Sequence, residues 1–343
     1  MQFAFTDDQL AITQAAREML VDTCTPADLR KLLARGETFD KARWQTIQEM
    51  GLIGLLAPEA RGGLGMTLTD FVGIAEAAGY VGLPEPLVEL AGITVPLLAA
   101  MPNDHGLLAR VFEGAVVGLG HPLNPFVAGA DDAEAFLLGA GDSVYFVERG
   151  DAVLTPQAGF DPFRGLSKVA FAPSPGANTA ISWGDTADRG ALLAAAQMIG
   201  LAQRCVDLSV AYAKDRMQFG KPIGSYQAVK HMVASAQVKI EFARPVVHAA
   251  AAELPLGTLA ARARVAHAKI AAGEAADLAA RTAVQVHGAM GMTWEVDLHF
   301  FLKRAFALNQ AWGTPAMHRA TLIERMETLP VGPDRTFASE VAA

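Results

Sequence analysis

The sequence is poor in several residue types, and each scarcity removes a class of function. Only two of its 343 residues are cysteines. Cys24 and Cys205 lie in helix-like surroundings with no His or Cys at ligand spacing. Neither a disulfide framework nor a thiolate metal site is expected, and free thiols suit a reducing compartment. Basic residues do not dominate. The 28 Lys and Arg stand against 36 Asp and Glu, for a net charge of -8, which argues against a nucleic-acid binder. An anionic ligand remains admissible, because a local basic patch can sit on an acidic protein. Uncharged apolar runs of roughly 18 residues or more are absent, so no membrane-spanning helix is expected. The opening MQFAFTDDQLAITQ has neither a basic n-region nor an apolar h-region, and a cytoplasmic location is the expectation.

Apolar residues, by contrast, are plentiful. They make up 52% of the chain, enough for a sizeable core and against disorder. Residues 1–111 read as a helical domain. Thr6 can cap DDQLAITQAAREML, in which Leu10, Ile12 and Leu20 mark an apolar face. DKARWQTIQEMGLIGLL runs to Pro58, and PEARGGLGMT then breaks the pattern. LTDFVGIAEAAGYVGL and EPLVELAGITVPLLAAM resume it. Residues 112–184 change character: AFLLGA, SVYFVE, AVLTP and KVAFAP read as short strands separated by Gly, Asp and Pro. Residues 185–343 return to alanine-rich helices, read as a four-helix bundle. There Tyr226, Val229, Val233, Ala236 and Ile240 step by three and four along one buried stripe, and Pro245 is expected to kink or split its helix. The fold class is mainly α with a small β domain.

Three stretches stand out. KDRMQFGKPIGSYQAVKH, Lys214 to His231, sets a cation, an aromatic ring and an amide in a turn between long helices. QVHGAMGMTWE, Gln285 to Glu295, runs a helix into a glycine loop. PEARGGLG follows the GLIGLL helix. Together, in this order and spacing, they resemble the acyl-CoA dehydrogenase family over nearly the whole chain. The family's flavin-binding segment is similar to Arg216, Phe219, Gly220, Ile223 and Gln227 here. The resemblance implies FAD as cofactor, an acyl-CoA substrate, electron-transfer flavoprotein as acceptor and an oligomer in which this segment serves a neighbouring subunit's flavin. It implies a cofactor-binding set of Arg216, Gln218, Phe219, Gln227, Gln285, Gly288, Ala289 and Gly291. Arginine offers a pyrophosphate the charge-assisted fork that lysine lacks. A ring at Phe219 can lie against the ribityl or adenine region, and glycines allow close backbone approach. The family usually pairs two glycines where this chain has Gly288 and Ala289. His231 and His287, on mostly apolar helices without a partner carboxylate, read as structural residues. GMTWEVDLHFFLKRA resembles a branch acting on bulky, steroid-type acyl groups. There Trp294 reads either as a wall of the binding site or as packing. Lys303 and Arg304 answer either phosphate charge or a helix terminus.

The sequence also departs from the family. Acyl-CoA dehydrogenation needs a carboxylate to take the α proton. The family's usual glutamate precedes a Gly-Thr pair, and here Trp312 precedes Gly313-Thr314. The alternative glutamate position, at the start of the first bundle helix, falls at or near Gly190. Asp188 is close in sequence, but its register is wrong. The β section lacks the segments that in the family flank the isoalloxazine. The resemblance therefore points to the short subunit of α2β2 members, which helps to hold FAD while a full-length partner supplies the glutamate. Two other readings stay open. One is a self-sufficient homomeric enzyme with a displaced base at Asp161, Asp188 or Glu295. The other is a helical scaffold that has lost flavin. No metal site is expected.

Overall fold

The computed structural model describes residues 5–328. The amino-terminal helices begin where short polar side chains satisfy their free N–H groups. Helix α1 (Asp7–Thr23) opens on Thr6, which exchanges hydrogen bonds with Gln9 in a capping box. Helix α2 (Pro26–Arg35) repeats the device with Thr25 and Asp28, and stops at Gly36 in the left-handed region. Helices α3 (Lys41–Glu49) and α4 (Leu68–Val81) follow, separated by the expected glycine-rich turn. The apolar run after Pro84 becomes α5 (Leu87–Glu89), a π turn (Leu90–Thr94) and α6 (Val95–Ala100) without a break. A Cβ on Gly92, inside that turn, would overlap Leu193. Helix α7 (Leu107–Phe112) closes this part. The face proposed for α1 is only partly right, since Leu20 is fully buried while Leu10 is 53% exposed.

Six short strands follow. β1 (Val117–Gly120) pairs in parallel with β2 (Ala135–Ala140), which forms an antiparallel hairpin with β3 (Ser143–Glu148). β6 (Asn178–Ser182) joins the far edge of β3, and β4 (Val153–Pro156) pairs separately with β5 (Ser167–Ala170). β2 reads as a continuous apolar run because its first four residues are all buried.

Helix α8 (Thr186–Asp215) is the axis of the molecule. It packs on α4 and on three later helices: α9 (Gln227–Glu253), α10 (Leu259–His287) and α11 (Leu298–Gln310). Helix α12 (Pro315–Thr328) covers α10. Between α8 and α9 lies a two-residue hairpin, β7 (Met217–Gln218) and β8 (Lys221–Pro222). Backbones touch where α4 crosses α8. A Cβ on Gly79 would overlap the carbonyl of Gln197, and one on Gly200 the carbonyl of Glu76. Among the described residues, α8 is the one helix long and apolar enough to cross a membrane, but 78% of its apolar window is buried in the protein. Its apolarity is that of a core helix.

The expected split of one helix does not occur. Helix α9 runs continuously through Pro245. Pro245 lies on the exposed side of the helix, where the Glu241 carbonyl that loses its donor can meet water.

The bundle also buries a lysine. Lys269, on α10, is 1% exposed, and its ammonium donates to the Leu308 carbonyl at 2.6 Å. Burial, with Arg164 nearby, pushes its pKa down from 10.5 to about 7. Below pH 7 the ammonium is charged in both folded and unfolded states, and its burial penalty is felt in full. Between pH 7 and 10.5 the unfolded chain binds the proton that the folded chain has lost, so stability rises with pH. Chemical denaturation of wild type and Lys269→Met at pH 6, 8 and 10 should show the variant's advantage shrinking as pH rises. A pH-independent difference would contradict the buried-ammonium account.

Candidate functional site

The residues singled out from the sequence fall into two places, an open surface at one end of the bundle and a filled pocket inside it. The surface is built where α8 ends. Arg216 terminates the helix in an extended conformation and has no side-chain hydrogen bond among the described residues. Phe219 takes a left-handed backbone, φ +52°, and its ring is 92% exposed. Gly220 follows at φ +78°. Gln218 is exposed and donates to the neighbouring Met217 carbonyl at 2.9 Å. Gln227, exposed, begins α9. The carboxyl end of α10 lies alongside, because the Tyr212 and His287 rings stack with centroids 4.3 Å apart. His287 is buried and its Nδ1–H donates to the Ala283 carbonyl at 2.7 Å, while burial holds its pKa below the usual range. That is a structural histidine. His231 is exposed on α9.

Beyond His287 the chain turns at Gly288, with φ +62° and ψ -140°, a conformation open to glycine. Gln285, Gly288 and Ala289 are exposed. Gly291 is buried, and a Cβ there would come within 2.9 Å of the Val284 carbonyl oxygen. Seven of the eight residues therefore face outward from this chain.

The interior pocket is different. Trp312 and Gly190, separated by 122 positions in sequence, are in contact. The indole lies over the glycine so closely that any Cβ on residue 190 would overlap the ring. Trp312 itself has φ +59°, a strained value for a bulky residue. Two hydrogen bonds hold it: its N–H donates to Asn124 Oδ1 at 2.9 Å, and His318 Nε2 donates to its carbonyl at 3.0 Å. His121 packs against Trp312 and against Trp183, with centroids 5.4 and 4.7 Å apart. Three aromatic rings, from the ends of β1 and β6 and from the turn before α12, thus fill the junction of sheet and bundle. His121 and Trp183 carry no motif, and no sequence signal marks them.

Comparison with known proteins decides the family. The model of the acyl-CoA dehydrogenase N-terminal domain matches residues 6–104, and that of the C-terminal domain matches residues 184–327. Acyl-CoA dehydrogenase IpdE2 of Mycobacterium tuberculosis is 33% identical over 317 residues, covering 90% of this chain and 94% of that protein. The chain belongs to the acyl-CoA dehydrogenase family. It is an oxidoreductase of a family that uses FAD. Two solved structures share the fold. Butyryl-CoA dehydrogenase from Megasphaera elsdenii has a TM-score of 0.84 at 18% identity, over 95% of this chain and 100% of that one. The ChsE4-ChsE5 complex from Mycobacterium tuberculosis has 0.85 at 22%, over 96% and 100%.

The three carboxylates considered from the sequence as displaced bases, Asp161, Asp188 and Glu295, stand in different surroundings. Asp161 is committed elsewhere: it is ion-paired with Arg304 and also accepts from the Phe163 N–H at 3.1 Å. Burial works against the Arg304 charge, and the adjacent Asp161 carboxylate more than restores it. Arg304 also donates to the Leu83 carbonyl at 2.8 Å, just past the carboxyl end of α4, so its guanidinium is engaged within the chain. Asp188 sits two residues from Gly190 and so on another face of α8. Burial pushes its carboxyl pKa up, with Arg262 opposing. Glu295 is exposed. Trp294 is not buried packing, being 56% exposed, and its ring carries the Lys303 ammonium at 4.0 Å.

The residues fit FAD unevenly. The outer surface offers an unpaired guanidinium, an exposed ring and a glycine turn, which suit a pyrophosphate and its flanking groups. The inner pocket has no room for a flavin ring over Gly190. Asp161→Asn should therefore act on stability. Removing one partner of a buried ion pair typically costs about 3–5 kcal/mol. Chemical denaturation should register that loss for Asp161→Asn and almost none for Glu295→Gln; equal stability of both would contradict the assignment of Asp161 to the Arg304 pair.

Proposed function

We propose that this chain is the non-catalytic half of a two-chain, FAD-dependent acyl-CoA dehydrogenase. It lends its outward-facing surface to the flavin of a full-length partner, which supplies the catalytic glutamate. The observation that carries this reading is the contact between Trp312 and Gly190. An indole and a glycine stand at the two positions where a base is expected, and the indole fills the space between them. The exposure of Arg216, Gln218, Phe219 and Gln227 supports it further, since these groups can be covered only from outside.

Within this reading, Arg216 holds a pyrophosphate oxygen pair, Phe219 covers an adjacent apolar part of the cofactor, and Gln227 and Gln285 offer amide contacts. The backbone at Gly288, Ala289 and Gly291 permits close approach. FAD, when bound, supplies the hydride acceptor for α,β-dehydrogenation of the thioester. A two-protein assembly is named for the structural neighbour ChsE4-ChsE5. The likeness of GMTWEVDLHFFLKRA to the branch acting on bulky acyl groups favours a steroid-type acyl-CoA, with electron-transfer flavoprotein as acceptor.

The test is flavin content. Purified alone, the chain should hold FAD weakly or not at all; co-expressed with a full-length family partner, the complex should be yellow and active. Arg216→Ala should lower FAD affinity of the complex on the order of ten- to a hundred-fold, the scale of a lost charge-assisted hydrogen bond. Stoichiometric flavin in the isolated chain would refute the shared-site reading, and a colourless complex would favour a scaffold that has lost flavin.

A further inference from the structure

The pocket beside Trp312 is blocked for chemistry but is not closed. Gln197 lies seven residues along α8 from Gly190, on the same face. It borders a cavity of about 60 Å³, also lined by Glu89, Asn124, Arg164, Arg304 and Trp312. Some of these polar groups are spoken for. Arg304 is held by Asp161 and the Leu83 carbonyl, and Asn124 Oδ1 accepts from Trp312. Glu85, on the same wall, is gripped by both forks of Arg43 at 2.8 Å.

Three side chains are left over. Gln197, only 6% exposed, makes no side-chain hydrogen bond among the described residues. Neither do Arg164 and Glu89. Burial pulls the Arg164 guanidinium below its usual range, with the Glu89 charge opposing. Leaving the buried Gln197 amide unpaired costs about 1–3 kcal/mol, and the half-buried Arg164 guanidinium beside it also calls for a partner, so such a cavity holds polar matter. A volume of 60 Å³ accommodates roughly four to six waters, or a molecule of about that many heavy atoms.

The donor set defines what fits. A saturated acyl chain would leave the guanidinium and the amide unpaired, which excludes it. A carboxylate matches the planar fork of Arg164. Glu89, when ionised, only accepts, so the ligand must also donate, and a hydroxyl does so. Gln197 can serve either end. Arg164 and Arg304 stand against Asp161 and Glu89, so these four groups carry no net negative charge against a monoanion. The Asn124 loop borders the mouth, where Phe126 is 37% exposed.

We propose that this cavity binds a small hydroxycarboxylate through Arg164, Gln197 and Glu89, making the base-less pocket a ligand site in its own right. The inference rests on the reading that this chain's own pocket does no redox chemistry. Isothermal titration calorimetry and thermal melting of the full chain test it, with lactate as probe and acetate and glycerol as partial probes. Lactate should bind saturably, with a dissociation constant on the order of millimolar or tighter, and raise the Tm. Acetate and glycerol, each lacking half of the recognition, should bind about tenfold more weakly or less. Gln197→Met keeps the volume and should weaken lactate about tenfold, as should Glu89→Gln, which keeps the shape; Arg164→Met should abolish binding. Melting without ligand identifies any variant that fails to fold, and the shape-preserving Glu89→Gln keeps the test decisive. No saturable heat from lactate, or equal binding by wild type and the folded variants, overturns the proposal and leaves a hydrated cavity only. Turnover of acyl-CoA by the isolated chain is a separate failure. It would sink the non-catalytic reading whatever lactate does.

Discussion

The indole of Trp312 rests on the backbone of Gly190, and the proposed division of labour between two chains depends on that contact. Only a residue without a side chain at 190 lets the ring lie against α8. Only a left-handed turn, secured by Asn124 and His318, aims the ring there. The strain of a left-handed tryptophan, on the order of 1–3 kcal/mol, is tolerated because both flanking peptide groups are held. Any side chain at position 190 would have to displace the indole. The contact therefore sets an indole and a glycine at the two positions where the family resemblance places a base.

What the interior gives up, the exterior keeps. The rings of His121, Trp183 and Trp312 occupy the junction of sheet and bundle, while Arg216, Phe219 and the Gly288 turn point into solvent. The Tyr212–His287 stack fixes those two outward segments at the same end of the bundle. A ring left 92% exposed on a left-handed backbone is costly in an isolated chain. It makes physical sense where another surface covers it. The rigid seat for that surface is α8, locked to α4 by backbone contact at Gly79 and Gly200.

Much of this was legible in the sequence. The Thr6 cap and the glycine turn after Pro58 rest on local rules and the structure follows them, while the helical periods are followed in part: Ala236 and Ile240 are buried, Tyr226, Val229 and Val233 half-buried. The family was legible because three motifs kept their order. The exchange of Trp312 and Gly190 for carboxylates could be seen one residue at a time, but not that the two touch, since contact between distant positions has no local signature. Pro245 does not split α9, because the cost of an interior proline depends on whether the freed carbonyl reaches water. The pairing of Asp161 with Arg304 was not legible for a related reason: a buried ion pair between residues 143 positions apart looks, in sequence, like two unrelated charges. Gln197 carried no signal at all, being one polar residue on an alanine-rich helix until its neighbours are known.

The most direct measurement is anaerobic mixing with acyl-CoA while flavin absorbance is followed, for this chain supplied with FAD alone and for its complex with a full-length partner. The account predicts no bleaching by the isolated chain. In the complex it predicts rapid bleaching that disappears when the partner's glutamate is replaced and survives Asp188→Asn and Glu295→Gln in this chain. Bleaching by the isolated chain, or its loss in the complex on replacing either of those two carboxylates with flavin still bound, would contradict it.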